Sequence, residues 1–202
     1  MKRIFTILLS MLLLSAATCE ASWLIFHKPE FRGKIVDIET LEPIEGAVVV
    51  AIYRKEEMAI ADSVDIDIDA REALTDRNGE FIIPSYTTFI NPFSWSIPVQ
   101  FIIFKPGYYC TGPIGLENEF AGTKEYKIDI AADSNKGLKY RVLKTGVLML
   151  AKVEGKDRID SFDNAGKIWL LQEKFKSVTK SIEVFKKENS IIINIERQWR
   201  NK

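Results

Sequence analysis

Residues 33–53 read GKIVDIETLEPIEGAVVVAIY: a short alternating run, a polar turn centred on Glu42 and Pro43, and then apolar residues ending in an aromatic. The period of two predicts a strand over Phe31–Glu39, with Phe31, Gly33 and Ile35 on one face and Arg32, Lys34 and Val36 on the other. Thr40–Gly46 is rich in strand breakers, and Ala47–Tyr53 resumes the extended run. This second strand is apolar on both faces, since Ala47, Val49 and Ala51 are backed by Val48, Val50 and Ile52. Val99, Phe101 and Ile103, backed by Ile102 and Phe104, repeat the pattern. A sheet with one wet face places polar residues there, so some other part of the chain must cover these strands.

Working outward, weaker extended runs span Met58–Asp69 and Arg71–Thr75, and Glu80–Pro84 reads as a returning strand. Between them Asp76-Arg77-Asn78-Gly79 predicts a hairpin, because Asn and Gly accept the positive φ of tight turns. The loop SYTTFINPFSWS (85–96) leads into a strand over Ile97–Phe104 that Pro106-Gly107 ends. Glu125–Ile130 alternates as a further strand, and Tyr140–Val153 holds at least one more, interrupted near Gly146. Many short strands without a βαβ rhythm predict a mainly β antiparallel sandwich or barrel.

Three blocks carry a family resemblance: GKIVDIETLEPIEGAVVVA, LTDRNGEFIIP and FKPGYYC. They resemble the carboxypeptidase regulatory-like domain, in which a Gly-x-Val-x-Asp strand, a Pro-containing turn, a Gly-Ala-x-Val strand, a Thr-Asp-x-x-Gly-x-Phe hairpin and a Gly-Tyr strand end follow one another. Gly33, Asp37, Pro43, Gly46, Ala47, Thr75, Asp76, Gly79, Phe81, Gly107 and Tyr108 occupy those places. The resemblance covers residues 30–110 and implies a transthyretin-like sandwich of about seven strands, generally non-catalytic and recurrent in envelope proteins. The aromatic loop at 85–96 and the region after Glu125 exceed the core motif and are where protein-specific function is expected.

The C-terminal region supplies the candidate cover. Ile168, Leu171, Phe175, Val178, Ile182 and Phe185 recur at spacings of three and four with charges between them, predicting one amphipathic helix. Asp163 or Asn164 is placed at its start and Asn189 at its end. Ile191–Ile195 is readable as a final strand or as more helix, with Trp199 as an anchor.

The chain has 202 residues, 47% of them hydrophobic, and 28 cationic against 28 acidic side chains, so no global field draws in a nucleic acid. Lys2 and Arg3, the largely apolar run Ile4–Leu14 and the small or polar residues Ser15–Ala21 have the three-part layout of a secretory signal peptide. The run is too short for a transmembrane helix, which takes roughly 20 residues. The expected organisation is therefore a signal peptide (1–21), a sandwich (22–135) and a C-terminal extension (136–202). Cleavage after Ala21 gives a soluble periplasmic chain; the alternative is an outer-membrane lipoprotein lipidated at Cys19, although Ala16 and Thr18 fit that signal poorly. Cys110 would then stand alone and is expected to be buried and inert.

His27 is the single histidine. Hydrolases and dioxygenases on related sandwiches use several, and a serine nucleophile would lack its usual base, so no catalytic residue or cofactor is assigned. Asp65, Asp67 and Asp69 alternate, but strand residues two apart lie about 6–7 Å from one another, so a solvated face is expected rather than a metal site. Tyr86, Phe89, Phe93 and Trp95 are the candidate ligand or partner surface, with capping of the sandwich as the competing role. The expected function is a non-catalytic module of a bacterial envelope in contact with another protein; glycan or peptidoglycan binding through loop 85–96 is the alternative, and a hydrolase the reading from another class.

Overall fold

The computed structural model describes residues 24–59, 62–122, 126–128, 137–164 and 166–200. The signal-peptide region with Cys19 lies outside them. The fold is mainly β, with two principal sheets and a short ribbon. One sheet is ordered β4 (Ser63–Leu74), β3 (Val48–Met58), β8 (Gln100–Phe104), β9 (Ile114–Gly115), with β7 (Ser94–Ser96) also paired to β3. The other is ordered β10 (Tyr140–Val142), β11 (Val147–Leu150), β2 (Phe31–Asp37), β5 (Glu80–Ile83). The ribbon pairs β1 (Ile25–Lys28) with β6 (Tyr86–Phe89).

All six side chains from Val48 to Tyr53 are fully buried, and the alternation sends them to two different cores. Val49, Ala51 and Tyr53 join Phe31, Ile35, Phe81, Phe101 and Phe120 between the two sheets. Val48, Val50 and Ile52 face Ile168, Leu171, Val178, Ile182 and Phe185 of the C-terminal region, which is the cover the sequence calls for. A fully buried aliphatic or aromatic side chain contributes about 1.5–3 kcal/mol, so leaving either face of β3 wet would cost several such terms. The far face of the second sheet carries a smaller cluster, Val36, Ile38, Val147 and Met149, against which Tyr126, Ile128 and Leu143 pack.

Four expectations are corrected. Eleven strands are formed among the described residues rather than about seven, and the sheets are not wholly antiparallel, because β11 runs parallel to β2 with Val147 opposite Lys34 and Leu150 opposite Asp37. The turn at Asp76–Gly79 is tight, with Gly79 at φ 74°, yet it makes no hairpin. It carries the chain from β4 in one sheet to β5 in the other, where β5 pairs with β2. Tyr126–Ile128 is not a strand; the remainder of the strand expected over 125–130 lies outside the described residues.

The single helix expected from Asp163 or Asn164 to Asn189 is two, α3 (Gly166–Lys174) and α4 (Lys180–Arg200), preceded by an unexpected α2 (Gly155–Asp163) and a one-turn α1 (Glu117–Phe120). The apolar stripe survives this division, since Val178 in the break is as buried as Ile168 in α3. Asn164 ends α2 rather than starting the stripe, and α4 runs past Asn189 because Ile192 continues the buried face. The tail therefore extends the helix.

Several residues singled out by the motif hold the turns beside β3 and β5 or make room for the core. The Thr75 hydroxyl donates to the Ile44 carbonyl (2.6 Å) and accepts from the Ala47 amide (2.8 Å), tying the turn before β3 to the end of β4. Asp76 Oδ1 accepts from the amides of Asn78 and Glu80, both at 2.9 Å, and so shapes the crossover. A Cβ at Gly79 would fall 2.4 Å from the Ile35 carbonyl oxygen. At Gly33 it would fall 2.5 Å from the Phe81 ring and 2.8 Å from Phe120. The glycine makes room for two rings that meet edge to face, with centroids 5.0 Å apart.

The helical layer is fastened to the edge strand β4. Glu72 accepts from the amides of Thr179 (2.9 Å) and Ser181 (2.9 Å), from that of Lys180, and from the Ser181 hydroxyl (2.6 Å), so a strand carboxylate caps the start of α4. Lys174 Nζ donates to the Asp67 carbonyl (2.6 Å) and Ser177 Oγ to that of Ala70. Within the layer, Arg158 of α2 pairs with buried Glu188 of α4 (Nη2 to Oε2, 2.7 Å).

Burial alone would raise the Glu72 pKa, but the Ser181 hydroxyl and the amides of Ser181, Lys180 and Thr179 outweigh it and hold the carboxyl below its ordinary value. A lowered folded-state pKa means that its contribution is full above the unfolded value, about 4.3, and is lost as pH falls through the folded value. Glu72→Ala is expected to destabilise the protein by about 1–2 kcal/mol in urea unfolding at pH 7. The difference from the wild type should narrow as the carboxylate titrates. Gly33→Ala is expected to cost about 1–3 kcal/mol by overpacking in the same assay.

Candidate interaction surface

The aromatic segment 85–96 is divided between two supports. Its first part is β6, held against β1 in the register Ile25 to Phe89 and Lys28 to Tyr86. Its last part is β7, held against β3 in the register Glu56 to Trp95. Between them Asn91 makes the turn: its Oδ1 accepts from the Phe93 amide (3.1 Å) and its carbonyl from the Ser94 hydroxyl (2.9 Å). The Phe93 carbonyl in turn accepts from the Met58 amide (2.9 Å), which fixes the turn beside the end of β3.

The four candidate aromatics part company on these supports. Tyr86 turns inward, its ring centroid 4.6 Å from that of Tyr53 and 5.8 Å from that of Phe26, with the Arg71 guanidinium 4.5 Å above its face. This is the capping role. Phe89 and Phe93 turn outward and are 83% and 68% exposed. Trp95 is 41% exposed, its indole N–H donating to Glu56 Oε2 (2.7 Å). Met58, 62% exposed, and Val64 add apolar surface at the end of the β3–β4 hairpin, and Ile25 adds it opposite Phe89.

The hairpin that carries this surface is acidic. From Arg54 to Asp67 it holds five carboxylates against two cations, in a chain whose formal net charge is zero. The alternating aspartates do not share one face as a strand without irregularity would place them. A register shift between Tyr53 and Arg54 sets Arg54 opposite Asp67 and Tyr53 opposite Asp69. Arg54 pairs with Asp65 and Asp67, Lys167 reaches Asp67 at 3.6 Å, and Asp69 is beside Arg71. Among the described residues no three His, Cys, Asp or Glu side chains converge as a metal site.

A second feature has no signal in the sequence, because its partners are 89 positions apart. Lys28, almost fully buried, places Nζ 2.9 Å from both carboxylate oxygens of Glu117, and Glu117 Oε2 also accepts from the Val99 amide (2.7 Å). The pair forms one wall of an open polar cleft of about 350 Å³ whose other walls include Ser96, Pro98, Gly115 and Asn118.

The remaining reactive groups are structural in their contacts. His27 is exposed, with Nδ1 2.8 Å from the Thr87 hydroxyl. Cys110 is buried, and burial pushes its thiol up to about 12, so it is protonated at neutral pH. Burial would raise the Asp37 carboxyl, but the amides of Thr40 and Glu39 and the nearby Lys152 ammonium hold it low. Its Oδ2 lies 3.2 Å from Lys152 Nζ and 3.3 Å from the Tyr108 hydroxyl, which donates to it. Compared with protein-family models, curated proteins and solved structures, the chain matches none of them.

Two outcomes follow from this geometry. Phe89→Ser and Phe93→Ser are expected to leave stability within about 0.5 kcal/mol, whereas Tyr86→Ser should cost about 2 kcal/mol or more, read from urea unfolding. Cys110 should resist a thiol reagent at pH 8 in the native protein and react once denaturant opens the layer between β8 and the helices.

Proposed function

We propose that this chain is a non-catalytic interaction module of the bacterial envelope, of carboxypeptidase regulatory-like type, and that its aromatic end contacts another protein. The observation that carries the reading is the outward placement of Phe89 on β6 and of Phe93 in the turn before β7, where its carbonyl accepts from the Met58 amide. Large apolar side chains held in water at one end of a molecule mark an interaction site. Aromatics are the residues that concentrate binding energy in such sites. The family reading rests on the motif residues in the sequence; in the fold Thr75 and Asp76 hydrogen-bond the turns they belong to, and Gly33 and Gly79 stand where a Cβ would clash. Export rests on the basic, apolar and small-residue succession before Ala21.

Glycan binding is the second reading, favoured by Trp95, whose indole is tethered by Glu56 and leaves part of its surface open. It predicts that Trp95→Ala weakens retention on polysaccharide without loss of fold.

The test is site-specific photocrosslinking in the cells that make the protein. A photoreactive residue at position 89 or 93 should give a reproducible protein adduct. The same residue at position 82, exposed on β5, should give none. Absence of an adduct at both aromatic positions would overturn the reading. Mass spectrometry of the same sample reads the mature N-terminus: residue 22 is expected for cleavage after Ala21, and a lipidated Cys19 for the anchored form.

A further inference from the structure

We infer that the partner of the aromatic end is the helical face of a second copy of this chain, in a head-to-tail contact; this rests on the reading of that end as an interaction surface. Two surfaces carry the inference. The first is the end of the β3–β4 hairpin, where Phe93 and Met58 are exposed and the local charge is acidic. Asp65 and Asp67 are already answered within the chain by Arg54 and Lys167, and Glu57 by Lys55. Among the described residues Glu56 and Asp62 are engaged by uncharged donors, the Trp95 indole and Ser63 hydroxyl for the one and the Ser63 amide for the other. Their negative charge is left at the apolar tip.

The second surface is the solvent side of α3, α4 and the break between them. From Glu173 to Arg197 the described side chains include six exposed cations and two exposed carboxylates. Of the stretch's other two glutamates, Glu188 is buried against Arg158, and the sequence adds Glu196. Leu170, 64% exposed, and Ile193 stand in the same layer and offer apolar surface to Phe93 and Met58.

The signs select the geometry. Tip against tip would oppose carboxylates, and helix against helix would oppose lysines, each at a cost. Tip against helix pairs opposite charges around apolar centres. The cis pair Lys167–Asp67, at 3.6 Å, is a small instance of the same complementarity within one chain. Because the two surfaces differ, each copy keeps one of each free, and the contact propagates or closes into a ring.

The experiment is sedimentation velocity of the mature full-length protein over a concentration series at low ionic strength and in 1 M salt, where the Debye length is about 3 Å. The average mass is expected to rise with concentration at low salt and to return to the monomer in high salt. A tip variant, Asp62→Lys with Phe93→Ser, and a helix variant, Lys176→Glu with Lys187→Glu, should each be monomeric alone. All four positions are exposed, so circular dichroism and thermal unfolding should match the wild type. Mixed one to one, the two variants should form a dimer and nothing larger, since each retains one working surface.

A wild type that stays monomeric at every concentration overturns the inference, as does a helix variant that still associates with itself. Monomeric protein with a crosslink from position 89 or 93 to a different protein overturns the self-contact while leaving the tip as an interaction site. Monomeric protein bound to phosphatidylglycerol vesicles, with binding lost in the helix variant, assigns the lysines to lipid and likewise overturns it.

Discussion

The rest of the structure depends on one strand that has no wet face. Six consecutive side chains of β3 are fully buried, and a strand sends successive side chains to opposite sides, so two separate cores have to meet on it. One is closed by the second sheet and the other by the helices. The three-layer arrangement is thus a consequence of residues 48–53 and the matching run in β8. A sandwich without the C-terminal helices would leave Val48, Val50, Ile52, Ile102 and Phe104 in water.

Covering an apolar face does not by itself fix a helix in place, since dispersion and burial tolerate sliding and rotation. The polar contacts along β4 supply position. Glu72 receives the first amides of α4, and the carbonyls of Asp67 and Ala70 receive side chains from the end of α3 and the break. These groups belong to the outermost strand in the order of that sheet. The same bonds that register the helices therefore also blunt an edge on which another chain could add. Toward Ser63 the edge carries exposed acidic side chains, Asp62 and Asp65, which take over that duty.

The sequence made legible whatever depends on local pattern. The period of two located β2, β3 and β8; Asp76–Gly79 announced a tight turn; the spacing of Ile168, Leu171, Val178, Ile182 and Phe185 identified the buried helical stripe. Pairing was not legible, because a tight turn looks the same whether it returns the chain to its neighbour or carries it to the opposite sheet. The parallel pairing of β11 was hidden for the same reason. The break before α4 was missed because Val178 keeps the apolar period through it, and the residue that caps the new helix, Glu72, lies more than a hundred positions earlier. Of the candidate surface, the presence of four aromatics was readable and their division was not. The pairing of β6 with β1 turns Tyr86 inward and Phe89 outward, and the Asn91 turn before β7 leaves Phe93 outside.

The parallel pair of β2 and β11 also governs when this chain can fold. Lys34 and Val147 are direct neighbours although they are 113 positions apart, so that edge of β2 has no strand partner until β11 has been made. Closing so long a loop exacts its entropy before any contact returns it, and topologies of high contact order fold slowly. The helical layer comes later still, and the apolar outer face of β3 waits for it. An emerging chain of this design stays open and sticky until β11 and the helical segment have followed β3, in a form that a holding chaperone can grip.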